Sequence, residues 1–140
     1  MHVATLVKET LTRGTPQNWV RKGWDQLERI PGGKRLFSLM VGRAAPYTGS
    51  IRARVVELGV GHARIEMHDR RRLRNHLSSL HAVALANLAE LTGNLALAYS
   101  LPDDARFIVA GIEIEYVKKA RGTITGTCTL GPIESADKRE

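Results

Sequence analysis

From about Ser79 to Ser100 the chain is apolar on nearly every helical face, with Val83, Leu85, Leu88, Leu91 and Leu95 spread around it. A helix of this kind cannot leave a whole side in water, so the fold must surround it. Its one polar stripe is Asn87, Glu90 and Asn94, spaced three and four residues apart and therefore pointing one way. A strongly curved antiparallel sheet around one central helix meets the requirement, with a second copy covering the remaining face. Glu90 stands out. Burying an unpaired carboxylate costs several kcal/mol or raises its pKa, so the chain must pair this acid or use it.

The flanking segments fit that plan. Residues 16–30 have helical spacing, with Val20, Trp24 and Leu27 on one face, Thr15 as the expected N-cap and Pro16 at the first helical position. Pro31-Gly32-Gly33 ends this helix, and a short one is expected over 34–41. Pro46 is then expected to make the chain extend. Residues 50–58 and 62–68 alternate, with Ile51, Ala53 and Val55 opposed to Arg52 and Arg54. Gly59-Val60-Gly61 forms a hairpin turn between them. A polar, strongly basic loop covers 69–78. After Leu101-Pro102-Asp103-Asp104 ends the long helix, strands are expected at 106–117 and 122–130. Ile112, Ile114 and Tyr116 would point inward from the first, and Ile124, Cys128 and Leu130 from the second. Gly93 in mid-helix suggests a close backbone approach.

One domain of 140 residues can hold a real core but not two. The expected division is a helical segment over 1–45, the core over 46–132 and a frayed charged tail over 133–140. The formal net charge of +7 favours acidic partners: nucleic acid, anionic lipid or a phosphate-bearing small molecule. Aromatic residues make up only 5 %, and none interleaves with the basic ones, which leaves little for base stacking. No helix-turn-helix, RNP or GxxG motif occurs, so nucleic-acid binding rests on charge alone. Cys128 is the sole cysteine, which excludes an internal disulfide and fits a reducing compartment. The five histidines, at 2, 62, 68, 76 and 81, lack metal-ligand spacing, and neither a metal nor a cofactor is expected. The first fourteen residues carry Lys8, Glu9 and Arg13 and lack a signal-peptide stretch. Asn87, Glu90 and Asn94 interrupt the one segment of transmembrane length. A cytoplasmic protein is the expectation.

The element order, with Asn75-x5-His81-x8-Glu90 across the loop and helix, resembles the hotdog fold. Pro46-Tyr47-Thr48-Gly49, Asn75-His76-Leu77, His81-Ala82-Val83-Ala84-Leu85 and Glu115-Tyr116-x-Lys118-Lys119-Ala120-Arg121-Gly122 carry the likeness. It covers about residues 16–130. Within the superfamily the chain is similar to the acyl-CoA thioesterases near those of the phenylacetic-acid pathway, and closest to an uncharacterised hotdog family known as a domain of unknown function. The resemblance implies an α+β hotdog fold with an N-terminal helical extension, at least a homodimer, and hydrolysis of an acyl-CoA thioester. It places Glu90 as base or nucleophile, and Asn75 as the amide that positions water or the thioester. His81 falls at the helix start, and the Ala82 N–H where the carbonyl is polarised. A helix N-terminus stabilises a developing oxyanion, which agrees with that last role.

Two departures from the family pattern stand out. Gly-Gly usually follows the histidine, whereas here it is Ala82-Val83, whose bulk would narrow or block an acyl channel. Chains of this fold also usually continue through one or two further strands, so the sheet is expected to be completed by a partner or to remain open. Arg70, Arg71, Arg72 and Arg74, with Lys118, Lys119 and Arg121, are candidates to clamp the phosphates of coenzyme A, since guanidinium forks suit phosphate. The alternative is a solvated loop. Thioester hydrolysis is the function expected. A non-catalytic hotdog protein that binds acyl-CoA or an acyl carrier is the second reading, and a basic nucleic-acid binder the third.

Overall fold

A computed structural model describes residues 18–103 and 105–132. Three helices lead in: α1 (Trp19–Leu27), α2 (Gly33–Ala44) and the single turn α3 (Pro46–Gly49). The hairpin β1 (Arg54–Gly59) and β2 (His62–Met67) follows, then a 3-10 turn at Arg71–Leu73, the long helix α4 (Ala82–Ser100) and β3 (Ile124–Thr129). Asn18 caps α1: its side chain accepts the Arg21 N–H at 3.0 Å. Thr15 and Pro16 lie outside the described residues, and the helix starts later than their spacing suggests. Pro46 does not extend the chain. It opens α3 at the first helical position, where its missing N–H costs nothing. The seat of α3 requires glycine, because a Cβ on Gly49 would run into the Gly42 carbonyl of α2.

The sheet is antiparallel in the order β1–β2–β3. β1 pairs with β2 from Arg54↔Glu66 to Gly59↔His62, and an irregularity between Val55 and Glu57 shifts the register so that both Val55 and Leu58 face the core. β2 pairs with β3 from His62↔Thr129 to Met67↔Ile124. The outer edge of β1 is covered rather than left open: the Val55 N–H donates to Ser38 Oγ at 2.9 Å, and Lys34 Nζ donates to the Val56 carbonyl at 2.8 Å.

α4 crosses this sheet and buries a stripe of Ala84, Asn87, Leu88, Leu91, Thr92, Leu95 and Ala96. Ile65, Met67 and Val55 face it from the strands, and Ile51 joins the same core. Trp24 packs edge-on against Phe37 at 5.3 Å beneath α1 and α2. Burying side chains of this size stabilises by about 1.5–3 kcal/mol each. Gly126 lets β3 approach α4, since a Cβ there would sit 2.6 Å from Thr92 Oγ1.

Three expectations are corrected. Residues 105–117 form no strand: Ile112, Ile114 and Tyr116 are exposed rather than inward, and this segment pairs with no strand among the described residues. Glu90 is exposed, together with Ala89 and Val83. The physical reason is the same in both cases. Three strands cover one side of α4, and α1 and α3 also pack on it, but no described segment covers Val83, Ala89 and Glu90. Gly93, on the open side, has nothing within 4 Å of the place a Cβ would take, so no backbone among the described residues approaches it.

Candidate functional site

The start of α4 is held by one local cap and by bonds from distant parts of the chain. His81 has extended backbone (φ −66°, ψ 139°), and its Nδ1 accepts the Val83 N–H at 3.1 Å, so the imidazole is the N-cap. The His81 N–H donates to the Leu73 carbonyl at 2.7 Å, and the Leu80 N–H to the Ala120 carbonyl at 2.9 Å. The Tyr116 hydroxyl donates to the Ala82 carbonyl at 3.0 Å. These bonds fix the first turn from three sides. The Ala82 N–H has no acceptor among the described residues and points out of the helix end, where the helix dipole is positive.

Asn75 organises the loop before it. Its Oδ1 accepts the N–H groups of Leu77 (2.9 Å) and Ser79 (3.2 Å) and the Ser79 hydroxyl (3.2 Å), which leaves its Nδ2 donors without a partner among the described residues. Ser78 takes a positive φ of 55° inside this turn. Asp69 ties the loop to the approach of β3. One carboxylate oxygen accepts from Arg74 Nε at 2.7 Å and the other from the Gly122 N–H at 3.1 Å. The bond from Arg74, then that from Gly122, holds the Asp69 carboxyl below the usual carboxylate range.

A cavity of about 180 Å³ opens beside the helix start, lined by Tyr47, Arg72, Arg74, His81, Val83 and Asn87 among others. Asn87 is buried, and its Nδ2 donates to the Tyr47 carbonyl at 3.2 Å. The structure therefore brings His81, Ala82, Asn87 and the arginine loop together at one end of α4. It does not bring Glu90 there. Glu90 lies eight residues further on, about 12 Å along a helix axis, and forms no ion pair among the described residues.

The proposed clamp residues divide. Arg70 reaches the carbonyls of Ile51 (3.3 Å) and Arg52 (3.4 Å), and Arg74 is held by Asp69. Arg71, Arg72, Lys118 and Lys119 are exposed without such ties. Sequence reasoning missed Tyr47 and Tyr116, which contact the site through backbone and hydroxyl groups that no spacing rule marks. It also left Arg35, Arg43, Arg52 and Arg54 outside any site, although strand alternation had already set the last two on one face. No group of His, Cys, Asp and Glu that could hold a metal occurs among the described residues, and none of their helices is long and apolar enough to cross a membrane.

A long central helix laid across an antiparallel sheet, entered through a capped turn and a polar loop, defines an α+β hotdog protein. The chain belongs to the family described as a domain of unknown function, DUF4442, which matches residues 33–140. A solved structure described as "Crystal Structure of genomics APC5556" is 32% identical, with a TM-score of 0.69 over 79% of this chain and 74% of that one. The conserved protein PA5202 from Pseudomonas aeruginosa is 25% identical, with a TM-score of 0.56 over 59% of this chain and 67% of its own. PA5026 from Pseudomonas aeruginosa, described as a protein of unknown function and probable thioesterase, shares the fold at 23% identity and a TM-score of 0.62, over 73% of this chain and 67% of its own. Among curated proteins, none matches.

Proposed function

We propose that this chain is a cytoplasmic acyl-CoA thioesterase, a single hotdog unit that works as a homodimer with its sites between subunits. The observation that carries the reading is the free Ala82 N–H at a helix start fixed by His81, Leu73 and Tyr116. Such a donor, held before reaction, suits a thioester oxyanion. The likeness in fold to a probable thioesterase supports it. Glu90 is the base or nucleophile. Its distance from Ala82 along α4 is too great for both to act on one carbonyl within a chain, so the Glu90 of one subunit works with the Ala82 N–H of the other. The open side of α4, with Ala86, Ala89 and Gly93 near Glu90, leaves room for a second helix to approach. The exposed apolar residues of 105–117, among them Ile108, Val117 and Ile112, supply a surface for the partner's copy of the same segment.

Asn75 positions water or the thioester through its unpartnered Nδ2 donors, and His81 acts as the cap that orients the turn. Arg71 and Arg72, with Lys118 and Lys119, meet the coenzyme A phosphates, while Arg70 and Arg74 hold the loop and add to its field. A second reading, acyl-CoA or acyl-carrier binding without turnover, draws on Val83. This branched residue is half exposed and lines the cavity where the family usually has glycine.

Hydrolysis of short, long and aromatic acyl-CoAs should be compared for wild type, Glu90→Gln and Ala82→Pro. Proline is tolerated at the first helical position and deletes only the N–H. Each variant should stay folded and lose at least about 100-fold in kcat. Mixing the two should restore part of the activity, because a mixed dimer holds one intact composite site. Wild-type binding without turnover of any substrate would select the second reading.

A further inference from the structure

We propose a second ligand site on this chain: a groove between α2 and the start of β1 that binds a small molecule carrying a chain of phosphoryl groups. The groove encloses about 1060 Å³ and is lined by Arg35, Arg43, Arg52, Arg54, Arg70 and Arg72, with no carboxylate among its lining residues. Four arginines outside the groove are paired with acids. Arg21, Arg29, Arg64 and Arg74 each have an acidic partner within 4.0 Å. Of the six groove arginines, only Arg70 has a partner among the described residues, and that partner is backbone carbonyl. Six like charges gathered in one concavity repel one another, and a bound polyanion removes that repulsion.

The walls fit the ligand class. Guanidinium forks take phosphoryl oxygens in pairs. Thr48 adds a hydroxyl, and Gly42 and Gly49 leave part of the wall without side chains. Arg52 holds a left-handed backbone (φ 48°) that a non-glycine residue adopts at a cost, and Arg70 bonds its carbonyl. That bond, with the one to the Ile51 carbonyl, holds the Arg70 guanidinium against the Arg52 backbone. The volume matches a small-molecule site rather than a nucleic-acid track. No Phe, Tyr or Trp lines it and His68 is its single ring, so it offers no run of rings for successive stacked bases. The site is separate from the cavity at the start of α4, with Arg72 between them, and it holds whether or not the chain cleaves thioesters.

Calorimetric titration with tripolyphosphate tests this. Wild type should bind, and more weakly as salt rises. The double variant Arg43→Gln/Arg54→Gln should bind at least about 10-fold more weakly, because it removes two of the six forks that line the groove. Both residues are exposed and unpaired, so its thermal melt without ligand should match wild type. A control, Arg29→Gln/Arg64→Gln, loses the same charge outside the groove and should change the Kd by less than about 2-fold. ATP and coenzyme A, titrated in parallel, separate the two sources of a phosphoryl chain; tighter binding of either assigns the source and supports the site. Equal weakening in both double variants, absence of tripolyphosphate binding, or tighter binding of single-stranded RNA through the same arginines would each overturn it.

Discussion

Asn18 joins the ends of two helices. Its Oδ1 caps α1 through the Arg21 N–H, while its Nδ2 donates to the carbonyls of Ala98 (2.6 Å) and Leu101 (3.2 Å) at the end of α4. Arg21, whose N–H it caps, also donates to the Tyr99 carbonyl at 2.8 Å and to that of Leu101. Asn18→Ala should therefore cost more than a cap. The N-cap contributes about 1 kcal/mol. Each lost bond to an α4 carbonyl adds roughly 0.5–1.5 kcal/mol, nearer the lower figure because the site is only half buried and water can replace the donor. The total is about 2–3 kcal/mol, or a fall of roughly 5–10 °C in Tm for a chain this long. Chemical denaturation followed by circular dichroism measures it. Asn18→Asp separates the two contributions. Aspartate keeps the capping acceptor and suits the positive end of α1, but it sets a carboxylate oxygen against the α4 carbonyls. It should destabilise at least as much as alanine. A fully stable Asn18→Asp protein would show that only the cap matters and that the bridge between the helices contributes nothing.

Gly126→Ala should destabilise by about 1–3 kcal/mol, since its methyl meets Thr92 Oγ1, which is itself held by the Leu88 carbonyl at 2.7 Å. Pairing it with Thr92→Ala should recover much of that loss in a double-mutant cycle; strict additivity would contradict the proposed clash. Because Asp69 has a lowered native pKa, its contribution is present above the unfolded carboxylate value and is lost as pH falls through the native one. Asp69→Asn should flatten that part of the acid stability profile, and an unchanged profile counts against the tie to Arg74 and Gly122. Tyr99 is pushed up to about 12, first by burial and then by its hydrogen bond to Asp25 at 2.7 Å. Stability should accordingly hold below pH 10 and fall as pH rises from there through about 12. In absorbance titrations, Tyr99→Phe should remove the latest tyrosine transition; its persistence would assign that transition elsewhere.

The central helix, the hairpin and β3 were legible because each rests on a local signal: the 3.6 and 2.0 periods, and glycine turns. His81 was legible as a helix start, since a ring nitrogen can take a first-turn N–H. What failed was coverage. The spacing of Leu85, Glu90 and Leu95 says that a helix is apolar all round, but not which side its own chain covers, so Glu90 was expected inside and stands outside. The alternation at 112–116 marks a strand only where another strand accepts its hydrogen bonds, and within the described chain none does. The groove arginines were hidden for a different reason. Arg35 and Arg43 meet Arg52 and Arg54 only because Gly42 and Gly49 draw α3 against α2, a tertiary contact with no period of its own.

The seat of β3 sets an order of folding. β1 and β2 are joined by a two-residue turn and can zip early, but each β2–β3 pair joins residues about sixty apart, with the whole of α4 between them. The loop-closure entropy must be met before any of those bonds form, so β3 docks late, onto a helix and hairpin already in contact. The Leu80 N–H bond to Ala120 and the Asp69 bond to Gly122 lie just ahead of β3 and close with it. On a ribosome, the start of α4 would therefore wait, with two of its braces unmade, until the last quarter of the chain had emerged.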